Sequence, residues 1–274
     1  KGVIVPGRGI ATFGTVSPEQ AYVTFCSVCF SAFVKFFVDY LANVRQGTVS
    51  AEREEAFQRA VAHLDAPPSA PLALKRGPFA DAAAVMEAMA EAGRATVASR
   101  MVDSFFGNVS CLSGNVLYIS QTGSSLDALE GCIDPVPLDG SSCAGITASS
   151  EFAAHRRIVL DAGRRTVLHG HPRFSVILSL DCGRTDCPER GACHIRCPER
   201  RVAGGVPVVT GEIGTGPRGL CGTVPPALRE HPAVIVHGHG VFAAGGGDFN
   251  DAFGALLAVE QSCRREYFRR AKLQ

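Results

Sequence analysis

Charge of one sign is missing from this chain: 27 basic residues face 26 acidic ones, for a net charge of +1. That balance argues against a general nucleic-acid surface or an anionic membrane surface. No uninterrupted apolar run reaches the length of a membrane span, and no signal peptide is visible. A paired cysteine framework is also missing. The eleven cysteines are odd in number and unevenly spread, which points to a reducing, cytoplasmic compartment with one local cysteine-based site. An initiator Met is absent, and Gly2-Val-Ile-Val5 already reads as a strand. The chain therefore reads as a piece of something longer. At 274 residues it is long enough to bury a substantial core, in one large domain or one plus a fragment.

What the chain does have is organised around Arg165-Thr-Val-Leu-His-Gly-His-Pro172. Thr166 to Leu168 suit a strand, and His169 and His171, two apart, leave an extended backbone from one face. Pro172 suits the first turn of a helix running to Leu180. Two parallel imidazoles at a strand end begin a divalent metal site, since neutral imidazole suits Zn and its neighbours. Two ligands are too few for a metal. Val234-Ile-Val-His-Gly-His-Gly-Val241 supplies a third, again an apolar strand ending in histidines, with Gly238 and Gly240 permitting a tight turn.

The N-terminus resembles that second stretch. The offset that carries Gly7 onto Gly238 also carries Val3-Ile-Val5 onto Val234-Ile-Val236, Gly9 onto Gly240 and Phe37 onto Phe268. Both copies read strand, glycine turn, short strand, apolar helix, and so form an internal repeat. Pro6 and Arg8 stand where His237 and His239 stand. Arginine cannot ligate a metal, so the first copy reads as a structural remnant, with binding of an anion through Arg8 as the alternative.

Between them, Tyr22–Val44 reads as an apolar helix whose phenylalanines pack a core or interface. Ser50–His63 reads as a polar helix capped by Ser50, and Ala66–Pro71 as a linker. Ala80–Asp103 has helical composition, and Val116–Ser120 reads as a strand. Ser149 reads as the N-cap of a helix ending at Ala162-Gly163, which leaves backbone N–H groups for an anion. Glu151 and His155 share a face of that helix.

In one order, Gly107-Asn-Val-Ser110, Ile119-Ser-Gln-Thr-Gly123, Ser149-Ser-Glu151, His169-Gly-His171 and Gly238-His-Gly240 resemble the class II aldolase/adducin family. Any one of these motifs is weak; the ordered set is specific. The resemblance covers about Phe79 to the end. It implies an α/β fold in three layers (αβα) with a mostly antiparallel central sheet. The division is a partial, degenerate repeat over 1–45, a helix and Pro-rich linker over 46–75, and an aldolase/adducin-like domain over 76–274.

The resemblance makes His169, His171 and His239 metal ligands, with Zn the first expectation. Glu151 becomes the carboxylate that sits on the metal or moves a proton. Asn108, Thr122, Gly123, Ser149 and Ser150 become the grip on a substrate phosphate or carboxylate. The implied activity is lyase chemistry on a small phosphorylated or carboxylated hydroxy-carbonyl compound. The metal would stabilise the enediolate of carbon–carbon cleavage as a Lewis acid. Glu rather than Asp at 151 favours an aldolase over an epimerase. A decarboxylase, or a non-catalytic adducin-like assembly module, are the alternatives. The resemblance implies a homo-oligomer, with no nucleic acid or membrane as partner.

Three features depart from the family. His237 stands where an Asn usually precedes the ligand histidine. No tyrosine falls in a matching motif. Cys182, Cys187, Cys193 and Cys197 lie in an Arg-rich insert at 182–201, a candidate second metal site for zinc or an iron–sulfur cluster.

Overall fold

The computed structural model describes residues 1–65, 68, 70, 72–103 and 105–272. The chain divides into two compact units, Lys1–His63 and Leu64–Gln274. The second helix of the N-terminal part thus belongs with the first unit, not with the linker. Most of the Ala66–Pro71 linker lies outside the described residues.

In the first unit, β1 (Gly2–Val5) and β2 (Gly9–Thr12) form an antiparallel hairpin turned at Gly7, whose φ is 72°. Helix α1 (Pro18–Gln46) follows, with the Ser17 side chain accepting from the Gln20 N–H and Gly47 ending it in the left-handed region. Helix α2 (Ala51–Ala62) is capped by Ser50, which accepts from Arg53 N–H. Phe57 stacks on Tyr40 at 3.6 Å between centroids and meets Phe37 edge-on; Phe37 is buried there, while Phe25 and Phe36 of the same helix are exposed, so the stripe packs a core only in part. Val3, Ile4 and Val5 are exposed. Contrary to the expectation from sequence, α1 is long and apolar enough, by length and composition, to cross a membrane. Its few charged and polar residues are spaced thinly among apolar ones, so the helix is apolar on average although no unbroken apolar run spans it.

The second unit contains α3 (Ala82–Ala98), β3 (Asn108–Ser113), β4 (Val116–Ser120), β5 (Ile133–Pro137), α4 (Phe152–Asp161), β6 (Thr166–Gly170) and α5 (Arg173–Leu180). It continues with β7 (Arg201–Ala203), β8 (Val206–Val209), α6 (Leu220–Glu230), β9 (Ala233–Val236), β10 (Gly240–Gly245) and α7 (Phe249–Arg270). The strands form one eight-stranded sheet in the order β5-β4-β3-β6-β10-β9-β8-β7. Every neighbouring pair is antiparallel except β8–β9.

Helices α4 and α6 pack on one face, and α3, α5 and α7 on the other. Successive strand residues therefore serve opposite layers. Val167, Val234, Val236, Phe242 and Ala244 join the α4/α6 core, while the intervening Leu168, Ile235 and Val241 are equally buried. Covering both faces explains why the central strands read as unbroken apolar runs. The three-layer αβα architecture expected from sequence is what forms.

The two hairpins pair in corresponding registers. Gly2↔Thr12, Val3↔Ala11, Ile4↔Ile10 and Val5↔Gly9 pair in one. Ala233↔Ala243, Val234↔Phe242, Ile235↔Val241 and Val236↔Gly240 pair in the other. One offset carries the first set onto the second. The same offset carries Gly7 (φ 72°) onto Gly238 (φ 66°) and the N-cap Ser17 onto the N-cap Asp248.

One long-range contact sets the position of the first histidine pair. Glu260, buried on α7, accepts from the Phe174 N–H, the Ser175 N–H and the Ser175 hydroxyl, each at 2.8 Å. Those are the orphan donors at the start of α5, just past His171-Pro172. Replacing Glu260 with alanine leaves two buried N–H groups unsatisfied. The expected cost is about 2–4 kcal/mol of unfolding free energy, checked by urea denaturation.

Candidate metal centre

Strand register builds the centre. His169 on β6 lies opposite Asn108 on β3 and Phe242 on β10. His171 lies just beyond the end of β6, and His239 sits in the β9–β10 turn. Gly238 makes that turn with φ 66°. A Cβ on Gly240 would fall 2.4 Å from the Gly170 carbonyl oxygen and 2.6 Å from the His171 ring. Only glycine lets the turn close over the two histidines.

Among the described residues, His169, His171 and His239 form the one group whose ligand atoms all lie within metal reach, inside 4.8 Å of one another. The Nε2 atoms of His169 and His171 are 3.1 Å apart. Tetrahedral zinc with Zn–N bonds of about 2.0–2.1 Å separates its nitrogens by roughly 3.3–3.4 Å, so the spacing is close to that of a filled site. His169 donates through Nδ1 to the Val241 carbonyl at 3.0 Å, which leaves the Nε2 lone pair facing the cluster. Its ring stacks on Phe242 at 4.1 Å.

Burial holds all three imidazoles neutral. It lowers His169 well below its ordinary value, lowers His171 to about 3 and lowers His239, with neighbouring histidines adding to the first two. Neutral imidazole is the ligating form.

Glu151 stands beside them. Its Oε2 is 3.4 Å from His169 Nε2, and its Oε1 is 3.6 Å from His239 Nε2. Asn108 Nδ2 donates to Oε2 at 2.7 Å, while the buried Oε1 has no hydrogen-bond partner. Burial raises the Glu151 pKa to about 7, against the lowering effect of Asn108. Three neutral imidazoles and an orphaned carboxylate oxygen are a donor set that fits a divalent cation.

The anion-grip residues are placed differently from one another. Asn108 is buried, and its amide is engaged by Glu151 and His155; its contacts orient the site's own side chains. Thr122 is exposed, with Oγ1 donating to the Ala148 carbonyl, and Gly123 next to it has φ 74°. Ser149 does not cap a helix. Its N–H pairs with the Ser120 carbonyl and its Oγ accepts from the Glu151 N–H at 3.3 Å, so α4 starts at Phe152 with Glu151 as N-cap. Ser150 is exposed. The 121–124 turn and the 147–151 segment are joined by a Gln121–Ala148 bridge, which sets Thr122, Gly123, Ser149 and Ser150 near one another.

His237 lies outside the histidine group. Burial and then Arg201 lower its pKa to about 4. Of the tyrosines, Tyr118 is buried on β4, and Tyr267 packs against Phe174 and Phe268. The contribution of Ser110 and His155 was not legible as part of the centre, although the Glu151/His155 spacing was visible.

Among the described residues, the four cysteines expected to form a second metal site are not drawn into a ligand group. Cys182, Cys187, Cys193 and Cys197 are unpaired and exposed or half-buried, and they form no ligand group. Short turns and surface ion pairs such as Arg196–Glu189 order their loop instead. Metal analysis of the purified protein is therefore expected to give one divalent ion per chain. Changing all four cysteines to serine should leave that count unchanged.

The family model for the class II aldolase and adducin N-terminal domain matches residues 87–267. The L-fuculose-1-phosphate aldolase structure from Thermus thermophilus is 26% identical, with a TM-score of 0.55 over 68% of this chain and 94% of that one. YgbL from Klebsiella pneumoniae, named as a candidate aldolase/epimerase/decarboxylase, is 22% identical, with a TM-score of 0.53 over 66% and 87%. The L-fuculose 1-phosphate aldolase from Glaciozyma antarctica PI12 is 16% identical, with a TM-score of 0.50 over 70% and 77%. The last two show likeness of fold alone. No curated protein sequence matches the chain.

Proposed function

Because this chain belongs to the class II aldolase and adducin family, we propose that it is a metal-dependent lyase. It would make or break a carbon–carbon bond in a small phosphorylated or carboxylated hydroxy-carbonyl compound. One observation carries the proposal: three neutral imidazoles converge beside a buried carboxylate with an unsatisfied oxygen. A pure assembly module has no need of that arrangement.

His169, His171 and His239 would hold the ion, and three imidazoles suit zinc. A divalent metal there supplies Lewis acidity to the substrate's carbonyl and hydroxyl oxygens and leaves coordination positions open. Glu151, with a pKa raised to about 7, is matched to taking and returning a proton at neutral pH through Oε1. Thr122, Gly123, Ser149 and Ser150 would hold the substrate's anionic end through hydroxyls and backbone N–H groups, fixing the reacting carbons relative to Glu151.

Epimerase and decarboxylase chemistry on the same fold are the alternatives, and the likeness to YgbL keeps both in view. Incubating the zinc-loaded protein with ¹³C-labelled ketose 1-phosphates and hydroxy acids separates the three by NMR. A lyase gives two shorter carbonyl products. An unbroken skeleton with one inverted carbon, or release of carbon dioxide alone, would overturn carbon–carbon lyase activity of the aldol type.

The chain's organisation is part of the proposal. The shared hairpin register supports reading residues 1–45 as a degenerate copy of β9–β10–α7, with Pro6 and Arg8 in place of two histidines. Family members are commonly oligomeric, and we place this chain with them as a homo-oligomer. The odd, uneven set of eleven cysteines supports a reducing, cytoplasmic setting.

A further inference from the structure

A chain of hydrogen bonds runs away from the centre into the core. The Ser110 hydroxyl meets His155 Nδ1 at 2.7 Å, His155 Nε2 meets Asn108 Oδ1 at 2.5 Å, and Asn108 Nδ2 donates to Glu151 Oε2 at 2.7 Å. All four residues are buried, Ser110 and His155 completely. They come from two positions on β3 and from the N-cap and first turn of α4, so only the folded sheet brings them together.

We propose that Ser110 and His155 are positioning residues that fix the polarity of the Asn108 amide, so that Glu151 is held through Oε2 beside His169 and its Oε1, left without a hydrogen bond, faces His239. The inference rests on the metal-site reading of that cluster.

The direction of the chain follows from donor and acceptor inventory. Asn108 turns its Nδ2 donor to Glu151 Oε2. It then shows Oδ1 to His155, and Oδ1 only accepts, so the His155 proton is on Nε2. Nδ1 is left as an acceptor, and the Ser110 hydroxyl donates to it. Burial keeps His155 neutral by lowering its pKa to about 3, which excludes the doubly protonated ring that would leave Ser110 without its role as donor. Reversing the amide would turn Asn108 Nδ2 onto His155 Nε2 and Oδ1 onto Glu151, losing both contacts unless both neighbours also moved a proton. The Phe242 ring meets both His155, edge-on at 5.7 Å, and His169, stacked at 4.1 Å. It shields this chain on the side of the metal ligands.

The role predicts a difference between two substitutions of similar size. Glutamine at 155 carries a donor the same number of bonds from Cβ as imidazole Nε2, whereas leucine carries none. In the full chain, His155→Leu is expected to weaken cobalt(II) binding by about 10–100-fold, as loss of a partner behind a metal site does. His155→Gln should bind cobalt as wild type does. A filler role for His155 predicts the opposite order, because leucine suits an apolar pocket better. Equal affinity of His155→Leu and wild type, or equal losses in both variants, overturns the proposal.

If His155→Leu does not fold, the wild-type protein still decides. Imidazole ¹⁵N shifts should show His155 as the neutral Nε2–H tautomer, and an Nδ1–H tautomer overturns the proposal. If wild type binds no cobalt, the metal reading fails on its own, and the tautomer alone then tests the hydrogen-bond chain.

Discussion

Replacing His239 with alanine is expected to strip the divalent metal from the protein while leaving the fold intact. Binding of zinc at a complete four-ligand site is worth about 10–16 kcal/mol, so one ligand accounts for roughly 3–4 kcal/mol, or about 10²–10³ in affinity. His239 is the ligand for this test because its side chain is 24% exposed on the β9–β10 turn. His169 instead stacks on Phe242 and bonds the Val241 carbonyl, so its loss would open a hole in the core and confuse affinity with stability. Calorimetric titration with cobalt(II), beside thermal melts of the metal-free proteins, separates the two quantities. The melts should coincide while the affinities part. A His239→Ala protein that binds cobalt as tightly as wild type would remove His239 from the centre.

Glu151→Gln should show the second large effect. The variant keeps the side chain's size and its contact with Asn108 but cannot take a proton. Turnover is expected to fall by about 10²–10⁴. The pH behaviour gives an independent reading. Glu151 in the metal-free protein has its pKa raised to about 7 from an ordinary 4.5. Between those values the native state keeps a proton that the unfolded state has released. This contribution to metal-free stability is complete below about pH 4.5 and is lost as pH rises to about 7, by up to roughly 3 kcal/mol.

Metal binding must displace the same proton. Burial lowers all three histidines, so Glu151, raised to about 7, is the group expected to lead the proton release. Affinity should therefore climb with pH and level off above about 7. Titration in buffers of different ionisation enthalpy should show about one proton released per metal at pH 6 and almost none at pH 8. The Glu151→Gln variant should release none at either. Equal proton release by wild type and variant would assign the titration to another group.

Much of this was legible in the sequence, for reasons that are local. Thr166–Leu168 and Val234–Val236 are apolar runs bounded by glycine turns, and they form β6 and β9. Pro172 falls one residue ahead of the first turn expected for it, as the N-cap of α5, which begins at Arg173. Two histidines at a strand end predict a shared face, and their Nε2 atoms meet.

What stayed hidden depends on register between distant strands. Asn108 faces His169 because β3 pairs with β6, and no local pattern shows that Glu151 then lies within reach of its amide. Ser149 has the residue type of an N-cap, but its Oγ accepts from the Glu151 N–H ahead of the helix, which begins three residues later at Phe152. Strand β5 carries Pro135 and Pro137, which obscure it in the sequence; as the edge of the sheet it tolerates them. The cysteine spacing suggested a metal loop, but spacing without a fold to gather the thiols left them apart.

The most direct test is a crystal structure of the protein soaked with zinc, with anomalous scattering collected at the zinc edge. One peak should lie about 2.0–2.1 Å from the Nε2 atoms of His169, His171 and His239, with Glu151 beside it. A peak on the cysteine loop with none at the histidines, or no peak in a protein that melts normally, would contradict the metal centre.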